Sequence, residues 1–154
     1  MPETIYVDPL GLRAQLADPE ELAELMASRG EDYWNSPEGN ETAELTFCPE
    51  GWTRGAPQTA ELAFTMKDGL GFHFYYSVPP NRGLPTACLF SSNGEPFNEV
   101  VEVNWAGETR KVYRSLFVPL EAAQKVVRTF CETGQPSEAV LWLDCGDVPD
   151  PEEG

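Results

Sequence analysis

Apolar residues recur every three to four positions between Asp18 and about Arg29 and again after Pro119, and every second position over much of the chain between them. The first of these segments reads as a helix. Asp18 suits the N-cap, Pro19 the first helical position, and Glu20 with Glu21 complement the positive end of the dipole. Leu22, Leu25 and Met26 form its apolar stripe, and Gly30 is placed to stop it. Residues 31–43 are polar and rich in turn formers, which predicts a loop carrying Tyr33 and Trp34. From Glu44 the period is two. A short strand to Phe47 is followed by a strand over 59–66 in which Ala60, Leu62, Phe64 and Met66 face one way. Lys67-Asp68-Gly69-Leu70 is a hairpin connection, and the return strand 71–78 sets Phe72, Phe74, Tyr76 and Val78 against His73 and Tyr75. Further strands are predicted at 86–91, 97–105 and 110–118.

The second helix begins near Pro119. Leu120, Ala123, Val127, Phe130 and Cys131 lie on one of its faces, and Gly134 ends it. A last strand, 139–143, is apolar on both faces and is predicted to lie inside the sheet. The fold class is α+β: a single domain with a mostly antiparallel sheet of five to seven strands and two main helices. The domain is expected over residues 1–146, with 147–154 as an acidic, flexible tail.

Charge changes this picture more than composition does. The 154 residues include 17 aromatic side chains, ample for a packed core, yet the formal net charge is −16. Residues 1–50 hold 12 acids and 2 bases, 51–134 hold 8 of each, and 135–154 hold 6 acids and no base. A neutral middle lies between two acidic ends. Such a surface disfavours DNA, RNA and anionic lipid and favours a basic partner, although acidity also serves plain solubility. The opening MPETIYVDPLGL has neither a basic n-region nor an apolar run, and no stretch is long enough to span a bilayer, so a cytoplasmic protein is expected. Cys48, Cys88, Cys131 and Cys145 match no zinc or redox spacing. Four free thiols are expected in a reducing cytoplasm, with disulfides as the lesser alternative and Cys131 and Cys145 inside apolar patterns.

The search for catalytic chemistry returns little. The lone histidine, His73, sits mid-strand with no orienting partner in any motif. Serine elbows, phosphate loops and metal-ligand spacings do not occur, and Gly69-Leu70-Gly71 reads as hairpin punctuation. Arg110, Lys111 and Arg114 are the densest basic stretch. On a strand Arg110 and Arg114 share a face, as on a solvated sheet edge. No catalytic residue, metal or cofactor is assigned.

The run VYRSLFVPLEAAQKVVRTFCETGQPSEAVLWL (residues 112–143) combines a strand ending at Pro119, a helix with Ala122 and Ala123, Phe130, the Thr133-Gly134 cap, Pro136 and a strand holding Trp142. This combination resembles immunity protein family one, found beside polymorphic toxins and most often beside deaminase toxins. The Asp68-Gly69 hairpin and the aromatic strand 72–76 are similar as well, so the likeness covers about residues 58–145. It implies a protein that is not an enzyme and that neutralises a cognate toxin, with zinc, where present, held by the toxin. Charge agrees, since an acidic scaffold can cover the basic groove of a nucleic-acid deaminase. The resemblance locates no contacts. The candidates for toxin binding are acids with an aromatic nearby: Glu31, Asp32, Trp34, Glu38 and Glu41, and Asp144 and Asp147 after the last strand. The plain alternative is that Trp34 tucks under the first helix and the acids are merely solvated. Two rival readings remain, an acidic secretion chaperone for a basic client and a hydrolase built on scattered carboxylates.

Overall fold

The computed structural model describes residues 3–8, 14–35, 42–48, 60–78, 87–105, 108–149 and 151. The helices form where caps and periodicity coincide. In α1 (Pro19–Ser28) the Asp18 carboxylate accepts from the backbone N–H groups of Glu20 and Glu21, and Leu22, Ala23 and Met26 are buried. In the later long helix, α3 (Leu120–Thr133), Ala123, Val126, Val127 and Phe130 face inward. Gly134 closes α3 at φ +70°, and a Cβ there would strike the Phe47 ring.

Residues 31–34, expected as loop, instead form a one-turn helix, α2 (Glu31–Trp34). The Gly30 carbonyl accepts from the N–H groups of both Tyr33 and Trp34. Trp34 is 1% exposed, which corrects the expectation of a surface tryptophan. Its indole N–H donates to the Arg29 carbonyl at 3.2 Å, and its ring packs on Phe64 and Phe72 with centroids 5.4 and 5.7 Å away. A large apolar ring gains far more against this aromatic face than its acidic sequence neighbours suggest.

Among the described residues five strands precede the hairpin region: β1 (Glu3–Val7), β2 (Ala14–Leu16), β3 (Ala43–Cys48), β4 (Ala60–Lys67) and β5 (Gly71–Val78). The first two escape the hydrophobic pattern, because β1 sets Ile5, Tyr6 and Val7 in an unbroken apolar row and β2 has only three residues. Next come β6 (Ala87–Ser92), β7 (Val100–Trp105), β8 (Glu108–Tyr113), β9 (Phe117–Val118) and, after α3, β10 (Leu141–Asp144). The main sheet runs β10-β6-β5-β4-β3-β1-β2, with β9 on the start of β5 and every described pairing antiparallel. Gly71 (φ +103°) is required where β9 meets β5, because a Cβ would overlap the Val118 carbonyl.

One face of this sheet, carrying Leu45, Leu62, Phe64, Phe72, Phe74 and Tyr76, is sealed by the helices. On the opposite face the β7–β8 hairpin forms a separate two-stranded sheet over a second cluster of Val103, Val112, Tyr113, Leu116 and Phe117. The expected strand 110–118 therefore breaks in two. A 3₁₀ turn at Arg114–Leu116 divides β8 from β9, so Arg114 does not share a strand face with Arg110 and pairs instead with Glu99 at 3.2 Å.

Two further expectations are corrected. β10 is not interior: among the described residues it pairs only with β6, and Leu141 is 58% exposed. It is apolar on both faces because Trp142 packs toward the helices and Leu143 toward the hairpin cluster. Cys88 and Cys145 are not free thiols but a disulfide, with Cα atoms 5.6 Å apart. The register explains it. Asp144 stands opposite Leu89, so the next residue on each strand meets its counterpart directly. Cys48 is buried, and burial pushes the Cys131 thiol, which forms no disulfide, up to about 12.

Candidate functional site

Of the acidic candidates, Asp32 is exposed on α2, while Asp144 and Asp147 are exposed at the end of β10 and in the 3₁₀ turn Cys145–Asp147 that follows it. Asp144 also holds that turn, its carboxylate accepting from the Gly146 N–H at 2.9 Å. The backbone of Glu31 lies in α2, and Glu38 and Glu41 lie outside the described residues. Trp34 lies beneath α2 rather than among these acids, and Thr65 ties it to β4 by donating to its carbonyl at 3.1 Å. The two acidic groups are not adjacent in the sheet, since β5 and β6 separate β4, under α2, from β10. Further exposed acids line α1 at Glu20, Glu21 and Glu24 and α3 at Glu121 and Glu132.

Sequence reasoning missed a recess under the hairpin. A cavity of about 310 Å³ lies between β5, β6, the β7–β8 hairpin and the segment after β10. Phe90, Trp105, Val112, Tyr113 and Leu116 supply apolar lining, Val148, Pro149 and Pro151 form one wall, and His73, Arg110 and Lys111 are its polar members. The local reason is alternation. His73 and Tyr75 project from β5 away from the helices, and Arg110 shares a face of β8 with the buried Val112. The one available signal was that period. Knowing that the hairpin folds back over β5 requires tertiary structure.

His73 is 2% exposed and ringed by Phe90, Trp105 and Phe117, with centroids 5.3 to 5.6 Å away. Its Nδ1 lies 3.2 Å from the Leu116 carbonyl. A carbonyl only accepts, so Nδ1 carries the proton. Burial, reinforced by the charge of Arg110, pushes the ring's pKa down to about 4 despite that bond, and the imidazole is neutral at physiological pH. The histidine is therefore held by backbone carbonyl, not by a carboxylate of the kind that orients a catalytic base. Among the described residues no group of three or more His, Cys, Asp or Glu could hold a metal ion, and no helix is long and apolar enough to cross a membrane.

In class, this is an α+β domain on an antiparallel sheet, with exposed carboxylates on its helices and a recess beneath its hairpin. The chain belongs to the Imm1 family of immunity proteins, whose model matches residues 11–144. No curated protein matches it, and no solved structure does. Its function is accordingly that of an immunity protein, and the family implies a cognate toxin as partner.

Proposed function

We propose that the chain neutralises a deaminase toxin acting on nucleic acid, by binding over the toxin's basic substrate groove or active site. The observation that carries this reading is a net charge of −16 on a member of an immunity family, with acids standing exposed on α1, on α2 and after β10. A protein that must grip a polyanion presents positive charge around its active site, and an acidic surface competes for that charge and speeds encounter. The proposed contacts are the acids Glu31, Asp32, Glu38, Glu41, Asp144 and Asp147. Trp34 supports α2 from below. The chain acts by binding, in the cytoplasm where the toxin would do harm. Catalytic zinc, where the toxin uses it, stays with the toxin.

The test is deamination of a nucleic-acid substrate by the toxin domain encoded beside this chain's gene, with increasing amounts of the purified chain. Activity should fall to background near one equivalent, and association should weaken as salt rises. Undiminished deamination at a large excess of the chain would overturn the proposal.

A further inference from the structure

The recess under the hairpin has a chemistry opposite to that of the chain as a whole. Arg110 and Lys111 are exposed members of its lining, two cations on a strongly acidic protein. Phe90 and Trp105 offer flat apolar walls. His73 is nearly fully buried and lines the same cavity. With Nδ1–H given to the Leu116 carbonyl, Nε2 presents a lone pair, and no described residue donates to it. An incoming group must therefore satisfy three demands at once: a planar ring for the walls, a hydrogen-bond donor for Nε2, and a negative charge for the cations.

We infer that this recess is the socket for a tyrosine or tryptophan side chain of the toxin with a carboxylate close beside it. This rests on the reading of the chain as a toxin-binding protein. Charge decides between a protein side chain and a free aromatic anion. A net charge of −16 repels small anions from the whole surface, whereas a partner held by many contacts can carry one carboxylate to a local cationic patch. Tyrosine and tryptophan are also the side chains that most often anchor a protein interface when seated in a desolvated pocket. Asp144 and Asp147, just before the recess wall at Val148, then act with the socket, the acids steering a basic partner and the socket fixing its register.

The decisive variant is Arg110→Glu combined with Lys111→Glu. Both side chains are exposed, so the fold should be unchanged by circular dichroism and melting. Calorimetric titration with the toxin domain encoded beside the gene should show Kd rising by about 30-fold or more, the scale of an interface hot spot. Lys125→Glu, an exposed cation on α3, should change Kd by about twofold or less. In spectra of the labelled chain the Trp105 indole resonance should move on toxin binding. Tight binding of the wild-type chain with an unaltered Kd for the double reversal would overturn the socket and leave the immunity reading standing. Failure of the wild-type chain to bind the toxin would overturn both. Saturable binding of N-acetyltyrosine, together with an unaltered toxin Kd for the double reversal, would make the recess a small-molecule site and likewise overturn the socket.

Discussion

The two faces of the main sheet are finished in different ways. On the helix side, Phe64, Phe72 and Phe74 are buried with ring centroids 5.3 to 6.4 Å apart, and α1, α2 and α3 close over them. Buried polar groups there find partners, as when the Tyr76 hydroxyl donates to the Gly134 carbonyl at 2.9 Å. On the hairpin side a two-stranded ribbon covers the sheet incompletely. It leaves the 310 Å³ recess, a neutral buried histidine and the Ser115 hydroxyl, which has no hydrogen-bond partner among the described residues. Helices with wide apolar stripes can seal a sheet face, while a lone hairpin has little apolar surface to spread. The helix side is therefore the closely packed one, and the hairpin side keeps a recess and an unpartnered hydroxyl.

The largest effect should come from the helix side. Phe74→Ala removes a fully buried ring and should destabilise the domain by about 3–5 kcal/mol in urea unfolding. Trp105→Ala, at the edge of an existing cavity, should cost less than about half of that, because less packing is lost. Equal losses at the two sites would break the comparison.

The hairpin side has a covalent staple in place of packing. Cys88 and Cys145 are 57 residues apart in sequence, and the segment beginning three residues after Cys145 forms a wall of the recess. Reduction, or Cys145→Ser, should lower stability by about 2–4 kcal/mol by releasing that loop in the unfolded chain. The same change should weaken toxin binding more than Phe74→Leu does, since it frees the recess wall. Thiol titration and unfolding with and without reductant would check the first part, and calorimetry the second.

His73 gives the hairpin side a pH dependence. Its pKa is about 4 folded against 6.5 for the free side chain, so between these values the unfolded chain binds more protons. Stability should hold above pH 6.5 and fall as the pH drops from 6.5 toward 4, by about 3 kcal/mol in all. His73→Phe should remove this portion of the slope. An unchanged profile in that variant would show that carboxylates alone set the acid limit.

Where structure is local, the sequence was a good guide. The cap at Asp18, the stripe on α3 and the Asp68-Gly69 hairpin with its alternating flanks each need only neighbouring residues, and each is found within a residue or two of its expected place. Pairings between distant residues were not legible. The five residues of β1 form a strand because the edge of β3 receives them, and the disulfide exists because β10 lies beside β6. The site divides in the same way. Asp32, Asp144 and Asp147 are exposed, as acids between apolar runs suggest. Trp34 admits two readings from sequence, because its acidic neighbours say nothing of the aromatic face that β4 and β5 turn toward it, and the buried one holds. The recess draws on five separate stretches of chain, and no motif spans them.

The smallest effect tests whether charge holds the helix side together. Arg128 on α3 forms two hydrogen bonds to the Glu20 carboxylate on α1, at 3.0 and 3.2 Å, which looks like a clamp between the helices. Both side chains are well exposed, so water competes for the charges and ordering two long side chains costs entropy. The uncharged bond from the Gln124 side chain to the Ala23 carbonyl joins the same helices at 2.8 Å in a partly buried setting, and the packing of Leu22, Met26, Val127 and Phe130 lies beneath both. Glu20→Gln should therefore shift stability by about 0.5 kcal/mol or less, with no sensitivity to salt beyond that. A loss of 2 kcal/mol or more would mean that the ion pair, rather than the aromatic face, fixes α1 on the sheet, and that charge rather than packing distinguishes the helix side from the recessed side.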